Sequence, residues 1–425
     1  MTAEAEKDFR RAQRRFLLCS IVAYAFFYVT RKNLSMAQPG MLEEGVISTY
    51  ALGAIMTVHG ILYGLSRFVN GFWADRLNGR VFMAVGLALS AVMNFLFGCS
   101  SLTFCFAAFW ILNGWTQGMG FPPCAKMLAH WIHPKELATK MSIWNSSHSF
   151  GAFFALGICS LLLAMGFGWR WCFWVTAALA GLAAVFTFFC VHDSPTEAGV
   201  AELEIGEGES EGRTVTNAMR RKLVFGNRVI WVVAIANFFV YVVRFGFLDW
   251  GPTFLKQHKG IPVEKGGLMI IAFELAAVAG TVCGGWLTDR LFNGRGARTC
   301  VFFMFFAALF AFGFHFLPDG ASTTWATLLL MGTGFFIYGP QGLTGIIAAN
   351  QATKDAAAMA NGFTGIMGYA STIVSGIGIA FIKERFGWNV TLVAIAGFAL
   401  VGMSLFLLAW NARADGYSGI SRRGS

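Results

Sequence analysis

Charged residues are scarce in this sequence. Asp, Glu, Lys and Arg make up 13% of its 425 residues, whereas 56% are hydrophobic and the mean hydropathy is +0.60. Soluble globular domains contain about 25% charged residues. The composition therefore excludes an ordinary soluble protein and indicates a chain that lies largely within lipid.

Motifs of nucleotide-driven and hydrolytic chemistry are also absent. The sequence contains no GxxxxGK[ST] loop, HExxH helix or GxSxG turn, which carry phosphate binding, zinc proteolysis and serine hydrolysis. Its nine cysteines show no CxxC spacing, so they are interpreted as small packing residues rather than metal ligands or a disulfide framework. We therefore expect no enzyme activity, no cofactor and no metal.

Long apolar segments recur along the whole chain. Several approach the ~20 residues with which an α-helix crosses a bilayer, and backbone groups inside lipid must be paired within their own segment. We predict an all-α membrane protein with twelve transmembrane helices. The predicted spans are residues 16–38, 51–75, 81–98, 103–124, 140–164, 170–191, 229–255, 266–290, 299–317, 322–348, 356–382 and 388–411.

Basic residues beside these spans predict the orientation of the chain. Lys and Arg are enriched in cytoplasmic loops, and here they precede the first span, follow the second, fourth and eighth, and end the chain. Both termini are therefore expected to be cytoplasmic, and no cleavable signal peptide is evident. The net charge of +10 is attributed mostly to this bias rather than to a nucleic-acid surface.

The chain divides into two similar halves. Tyr28-Val-Thr-Arg31 is echoed by Tyr241-Val-Val-Arg244, and Gly71-Phe-Trp-Ala-Asp75-Arg76 by Gly285-Trp-Leu-Thr-Asp289-Arg290. The order is the same, and the interval from Arg to Asp is 44 residues in one half and 45 in the other. Such parallel duplication occurs in transporters that bind substrate between their halves. We predict two pseudo-symmetric six-helix halves, 1–191 and 229–425, joined by a polar cytoplasmic linker, 192–228.

Arg31 and Arg244 are the strongest candidates for a binding site, because an ionisable residue within a span is costly and by default marks a site or pathway. They occupy equivalent positions in the two halves. Helical spacing places Tyr24 and Tyr28 on the face of Arg31, and Tyr241 on that of Arg244. A guanidinium donates hydrogen bonds in a planar fork that matches phosphate. The pattern predicts an oxyanion site; the alternative is a structural salt bridge to a membrane carboxylate.

Seven further residues are candidates for the same site or its supports. Glu274 and Asp249 are the carboxylates that would form such a salt bridge. Arg67 is either a third cation of the cavity or a snorkelling residue, and His148 is either a cavity histidine or a packing residue. The remaining candidates for substrate binding are Lys32, which lies about 100° from Arg31 around the helix, and the possible wall residues Tyr338 and Tyr369.

The duplicated Asp-Arg pairs have a different interpretation. Asp75, Arg76, Asp289 and Arg290 lie at the predicted cytoplasmic ends of the second and eighth spans. Charges at helix ends can pair in one conformation and separate in another. We expect these four residues to act in gating rather than to touch a ligand.

Several segments resemble a known family. GFWADRLNGR resembles the cytoplasmic loop motif of the major facilitator superfamily. YVTRKN, NGWTQGMGFPPCAKMLAHW, IWNSSHSFGA, YVVRFGFLDWGPTFL and GFTGIMGY resemble its organophosphate:phosphate antiporters, most of all their bacterial glycerol-3-phosphate branch. By position, the phosphate-binding arginines of that family fall on Arg31 and Arg244, and its cavity histidine falls on His148. Its cavity tyrosines fall on Tyr24, Tyr28, Tyr241, Tyr338 and Tyr369.

The resemblance implies exchange of a small organophosphate for inorganic phosphate by a multi-pass carrier of the bacterial inner membrane, expected to be monomeric. Two departures bear on the substrate: the glycerol-3-phosphate branch has lysine at Arg67, and the eleventh span lacks the charged pair of sugar-phosphate carriers. A smaller ester is therefore favoured over a hexose phosphate. The alternatives are a sugar-phosphate antiporter, a transporter-like sensor of a phosphorylated sugar, and proton-coupled uptake of another anion.

Overall fold

The computed structural model describes residues 3–74, 76–132, 140–141, 143–144, 146–200, 217–318, 322–352 and 356–412. Within these ranges the chain is almost entirely helical and has no strand. The helices are α1 (Ala3–Glu43), α2 (Thr49–Ala74), α3 (Gly79–Cys99), α4 (Thr103–Gln117), α5 (Phe121–Trp131), α6 (Ser147–Ala164), α7 (Arg170–Cys190), α8 (Asn217–Phe225), α9 (Arg228–Lys259), α10 (Val263–Leu291), α11 (Gly296–Phe316), α12 (Thr323–Gln351), α13 (Ala357–Ala370), the π-helical turn Val374–Gly378, and α14 (Ile379–Leu408).

Eight segments of the described chain are helical, long and apolar enough to cross a membrane. They are Thr49–Ala74, Gly79–Cys99, Ser147–Ala164, Arg170–Cys190, Arg228–Lys259, Val263–Leu291, Gly296–Phe316 and Met359–Leu408. The last covers most of two predicted spans, 356–382 and 388–411. Gly387 lies between these spans and interrupts the helix with a left-handed φ of 78°. The predicted all-α membrane fold is confirmed.

The predicted span 103–124 differs from the structure. Helix α4 ends at Gln117, and α5 begins at Phe121 with proline in its first turn. Gly118-Met119-Gly120 forms the turn between them. Proline is favoured in the first turn of a helix, where its missing N–H is not needed. The hydrophobic run alone could not show that it contains two helices.

The chain forms two compact units, Met1–Ser48 with Val58–Glu211, and Thr49–Thr57 with Gly212–Ser425. In the first unit, α1 packs against α6 and α7, and α3 packs against α7 and α4. Aromatic rings fill its core at the start of α1: the Phe16 ring stacks on Trp131 with centroids 4.9 Å apart. Helix α1 thus reaches from a packed aromatic cluster to the position of Arg31.

In the second unit, α10 and α11 both pack on α12, while α14 packs on α9 and α11. The contact of α10 with α12 is close because it is made at glycine. A Cβ atom added at Gly280 would collide with the backbone carbonyl of Phe335. Small residues permit this approach in membrane proteins, where van der Waals packing drives helix association.

Large apolar side chains cover much of the outer surface of these helices. Phe104 is 81% exposed, Leu408 74% and Phe316 71%. Patches of this kind are rare on soluble monomers. They suit a protein whose outer surface contacts lipid.

The start of the predicted linker packs on the first unit. Gly79 N–H donates to Asp193 Oδ1 at 2.7 Å, and Arg80 forms an ion pair with Glu197 at 2.7 Å. Trp131 Nε1–H donates to the backbone carbonyl of His192 at 3.1 Å. Residues 201–216 of the predicted linker lie outside the described residues, and α8 follows them. The division into 1–191, 192–228 and 229–425 stays a prediction.

Candidate functional site

Arg31 lies on α1 among aromatic rings. Its guanidinium carbon is 4.1 Å from the centroid of the Tyr63 ring and 5.5 Å from that of Tyr28. An aromatic face stabilises a nearby arginine through the ring quadrupole, and the arginine keeps its N–H groups available for hydrogen bonds. Tyr28, the phenol predicted on this face, lies beside Arg31, and Tyr63 of α2 supplies a second phenol ring.

Arg67 and His148 lie in the same unit, beside the tyrosine rings that contact Arg31. The guanidinium carbon of Arg67 is 5.8 Å from the Tyr63 centroid and 4.2 Å from that of Phe121. The His148 ring lies 5.6 Å from Tyr28. The first unit thus brings two guanidiniums and an imidazole onto one set of rings.

Tyr24, the remaining predicted tyrosine of this unit, packs deeper. It is 4% exposed, and its ring lies 4.6 Å from Trp144 and 5.8 Å from Tyr28. Tyr24 therefore packs against the Tyr28 ring and supports its position. Lys32 is also buried, at 5% exposure.

Tyr63 and Phe121 were missed as site residues by sequence reasoning. Tyr63 is 1% exposed and lies four residues before Arg67, so helical spacing already placed these two on one face. Its proximity to Arg31 depends on how α2 packs against α1, which no spacing within one helix reveals. Phe121 begins α5, a helix that the single predicted span concealed.

Arg244 lies on α9 in the second unit and is buried, at 7% exposure. Its guanidinium carbon is 4.6 Å from the Tyr338 centroid, 5.7 Å from Tyr241 and 5.6 Å from Phe245. Tyr241 contacts the Tyr369 ring at 5.9 Å. All three tyrosines predicted for this half are thus grouped around Arg244, directly or through one ring.

Glu274 is joined to this group by a hydrogen bond. The Tyr338 hydroxyl donates to Glu274 Oε1 at 2.5 Å, and Glu274 is 3% exposed. Its second oxygen, Oε2, is buried and has no hydrogen-bond partner among the described residues. The Tyr338 side chain therefore contacts Glu274 through its hydroxyl and Arg244 through its ring. Asp249, the other predicted carboxylate, is half-buried further along α9.

The predicted gating residues are placed less completely. Asp75 lies outside the described residues. The Arg76 guanidinium carbon lies 3.4 Å from the Phe72 centroid, and its Nη1 donates to the Phe72 carbonyl at 3.2 Å. Asp289 and Arg290 are exposed in the last turn of α10. Their gating role stays a prediction.

Each unit therefore presents a guanidinium in a largely apolar, phenol-rich setting. In such surroundings a charge-assisted hydrogen bond to an anionic oxygen is stronger than in water. Guanidinium also stays protonated when desolvated. The chemistry available at both arginines is recognition of a planar or tetrahedral oxyanion.

Comparison with known proteins identifies the family. Residues 20–376 match the model of the Major Facilitator Superfamily. The chain is 34% identical to the glycerol-3-phosphate transporter of Bacillus subtilis, covering 96% of this chain and 95% of that protein. It is 32% identical to a probable hexose phosphate transport protein of Chlamydia muridarum (96% and 93%) and to the membrane sensor protein UhpC of Escherichia coli (97% and 96%).

Solved structures resemble the fold at low sequence identity. A bacterial homologue of the human lysosomal transporter Spinster, in an inward-facing and unoccupied conformation, has a TM-score of 0.81 at 15% identity, covering 94% of this chain and 97% of that one. The nucleoside transporter NupG has a TM-score of 0.73 at 14% identity, with coverage of 94% and 100%. Together with the family match, these similarities establish that the chain belongs to the Major Facilitator Superfamily and is a multi-pass membrane transporter rather than an enzyme.

Proposed function

We propose that this transporter exchanges a small organophosphate for inorganic phosphate by alternating access. The observation that carries the proposal is the pair Arg31 and Arg244, equivalent in the sequence repeat and each in contact with tyrosine rings. Relatives at 28–34% identity are named as transporters of glycerol 3-phosphate, hexose phosphate and phosphoglycerate. The shared group of these compounds is a phosphate monoester, which suits two guanidiniums.

In this mechanism Arg31 and Arg244 each donate hydrogen bonds to phosphate. Guanidinium–phosphate pairs are frequently bidentate, which fixes orientation as well as charge. A bound dianion neutralises the positive charge of these guanidiniums, and this neutralisation stabilises the transition between inward-open and outward-open states. Inorganic phosphate returns the carrier by the same route, with both termini on the cytoplasmic side of a bacterial inner membrane. The chain acts as a monomer and needs no cofactor.

The substrate is proposed to be small. The predicted eleventh span, 356–382, contains no charged residue, so this segment offers no charged hydrogen-bond partner for the distal hydroxyls of a sugar. This absence of charge favours an ester of glycerol size over a hexose phosphate. Arg67 adds a second guanidinium to the first unit, where it lies against Phe121.

The experiment is exchange of labelled inorganic phosphate in proteoliposomes. Arg31→Lys and Arg244→Lys keep the charge but lose the planar fork, so each is expected to reduce phosphate exchange at least about tenfold. Arg170→Lys is the matched control, because Arg170 donates to the carbonyl of Ser100 and is not among the residues grouped around Arg31 or Arg244. Normal exchange in both test variants would refute the mechanism. Counterflow against glycerol, glycerate and hexose phosphates and phosphonates then identifies the ester.

A sensor is the second candidate function, because a relative of 32% identity is named a membrane sensor protein. A sensor would keep the binding arginines and show saturable phosphate-ester binding with little net exchange. Binding and counterflow measured on the same purified protein separate the two functions. Uptake driven by a pH gradient without internal phosphate would instead indicate proton coupling.

A further inference from the structure

A buried polar cluster surrounds the residue that precedes Arg31. It consists of Thr30 and Asn33 on α1, Ser90 and Asn94 on α3, Asn113 and Gln117 on α4, and Thr176 on α7. Gln117 is 3% exposed, and the other six residues are fully buried. We call this set the Thr30 cluster.

The hydrogen bonds of the cluster converge on Thr30. Asn94 Nδ2 and Asn113 Nδ2 both donate to the Thr30 backbone carbonyl, at 3.1 and 3.0 Å. Gln117 Nε2 donates to Thr30 Oγ1 at 3.0 Å, and Ser90 Oγ lies 3.0 Å from the same hydroxyl. Two neighbouring helices therefore hold one residue of α1 by both its backbone and its side chain.

This arrangement acts on Arg31 through covalent geometry. The carbonyl of Thr30 and the amide nitrogen of Arg31 belong to one planar peptide group. Two amide donors that fix the carbonyl therefore fix the rotation of α1 at the point where the Arg31 side chain leaves it. A connected buried network rigidifies its surroundings more than isolated hydrogen bonds do.

The second half of the chain has no polar side chain at the two positions equivalent to Thr30 and Asn33. By the Tyr-x-x-Arg repeat, Thr30 corresponds to Val243 and Asn33 to Gly246. Val243 is fully buried, and a Cβ atom at Gly246 would meet Ile395 and Ile379 at 3.1 and 3.2 Å. Apolar packing thus supports the equivalent helix around Arg244.

From this difference we infer that Asn94 and Asn113 are positioning residues that hold Arg31 in its anion-binding orientation. The inference rests on the proposed function, since it assigns their effect to phosphate recognition by Arg31. They touch no substrate. Their removal changes how tightly phosphate is bound, and it leaves the maximum exchange rate comparatively unaffected.

The test uses the full-length protein and inorganic phosphate as the probe. Asn113→Ala and Asn94→Ala are expected to weaken phosphate binding, measured calorimetrically, by about tenfold, the loss typical of a misaligned charge-assisted hydrogen bond. In proteoliposomes the half-saturating phosphate concentration rises by the same factor while the maximum rate changes less than about twofold. Gln117→Leu, which leaves the carbonyl contacts intact, is expected to have a smaller effect.

Thr176→Val is the matched control. Thr176 accepts from Asn33 Nδ2 at 2.9 Å and also donates to the carbonyls of Cys172 and Phe173. Its hydrogen bonds among the described residues do not include the Thr30 carbonyl, so its loss perturbs the cluster without releasing that carbonyl. Its melting temperature is expected to fall as in the asparagine variants, with phosphate affinity unchanged.

Three outcomes would overturn the inference. The first is equal phosphate affinity in Asn113→Ala, Asn94→Ala and Thr176→Val. The second is failure of both asparagine variants to fold while Thr176→Val folds, which would assign the amides to stability. The third is unchanged phosphate binding in Arg31→Lys, which would also refute the proposed function. Weakened binding in Arg31→Lys together with the first outcome would refute the positioning role alone.

Discussion

Replacement of Tyr338 by phenylalanine tests the arrangement around Arg244 at a single atom. The substitution keeps the ring that lies 4.6 Å from the Arg244 guanidinium carbon. It removes the hydroxyl that donates to Glu274 Oε1 at 2.5 Å. Glu274 Oε2 has no hydrogen-bond partner among the described residues. The substitution therefore removes the hydrogen bond at Oε1, and no hydrogen bond at Oε2 compensates for it among those residues.

The expected cost follows from the burial of both partners. Tyr338 is 5% exposed and Glu274 3%, so water does not replace the lost donor. A hydrogen bond to a charged group contributes about 1.5–3 kcal/mol, and an unsatisfied buried acceptor costs a similar amount. A loss of about 2 kcal/mol corresponds to a fall in melting temperature of roughly 4–8 °C for a cooperative unit of about 200 residues.

The assay is thermal unfolding of the purified protein followed by tryptophan fluorescence, with Tyr50→Phe as the control because Tyr50 is 44% exposed. We expect Tyr338→Phe to be destabilised and Tyr50→Phe to match the parent. Adding Glu274→Gln to Tyr338→Phe should restore part of the loss, because a neutral amide costs less to bury than a carboxylate. If Tyr338→Phe melts together with Tyr50→Phe, the hydrogen bond does not stabilise the fold and the reasoning is wrong.

Two further predictions concern packing and pH. Gly280→Ala is expected to disrupt the α10–α12 contact and prevent purification of folded protein, because the added Cβ meets the Phe335 carbonyl. Gly285 has open space around it, so Gly285→Ala is expected to be tolerated. Size-exclusion profiles of the two purified variants compare these outcomes. Burial lowers the pKa of His192 from its usual 6.5, so the unfolded chain takes up the proton first and stability falls as pH drops through about 6.5. Melting temperatures between about pH 7.5 and 5.5 should show this loss, and His192→Gln should reduce it; an unchanged slope would contradict the assignment.

The sequence was sufficient to predict the membrane class, most spans and the tyrosines that lie beside Arg31 and Arg244. These features are local. Hydrophobic length predicts a span, and positions three or four apart share a helix face, so Tyr28 beside Arg31 and Tyr241 beside Arg244 required no knowledge of packing. The duplication supplied the rest, since it singled out two charges from all those in the chain.

The residues that sequence reasoning missed all act between helices. Tyr63 reaches Arg31 from α2, and Asn113 reaches Thr30 from α4 across 83 positions of sequence. Spacing within one helix carries no information about which neighbour it faces. The turn at Gly118–Gly120 was hidden for a different reason, because the hydrophobic pattern continues through it.

The two halves preserve the position of their arginine while supporting it by different means. Arg31 follows a residue held by neutral amides, whereas Arg244 shares its surroundings with the Tyr338–Glu274 pair.

Neutral amides constrain orientation without altering the local charge, so their loss should weaken phosphate binding with little dependence on the charge of the anion. A carboxylate near Arg244 opposes an incoming dianion more than a monoanion, so Glu274→Gln should favour dianions selectively. Phosphate affinities measured at about pH 6 and pH 8 in Asn113→Ala and Glu274→Gln would separate these two effects: parallel changes in both variants would show that the halves support their arginines in the same way.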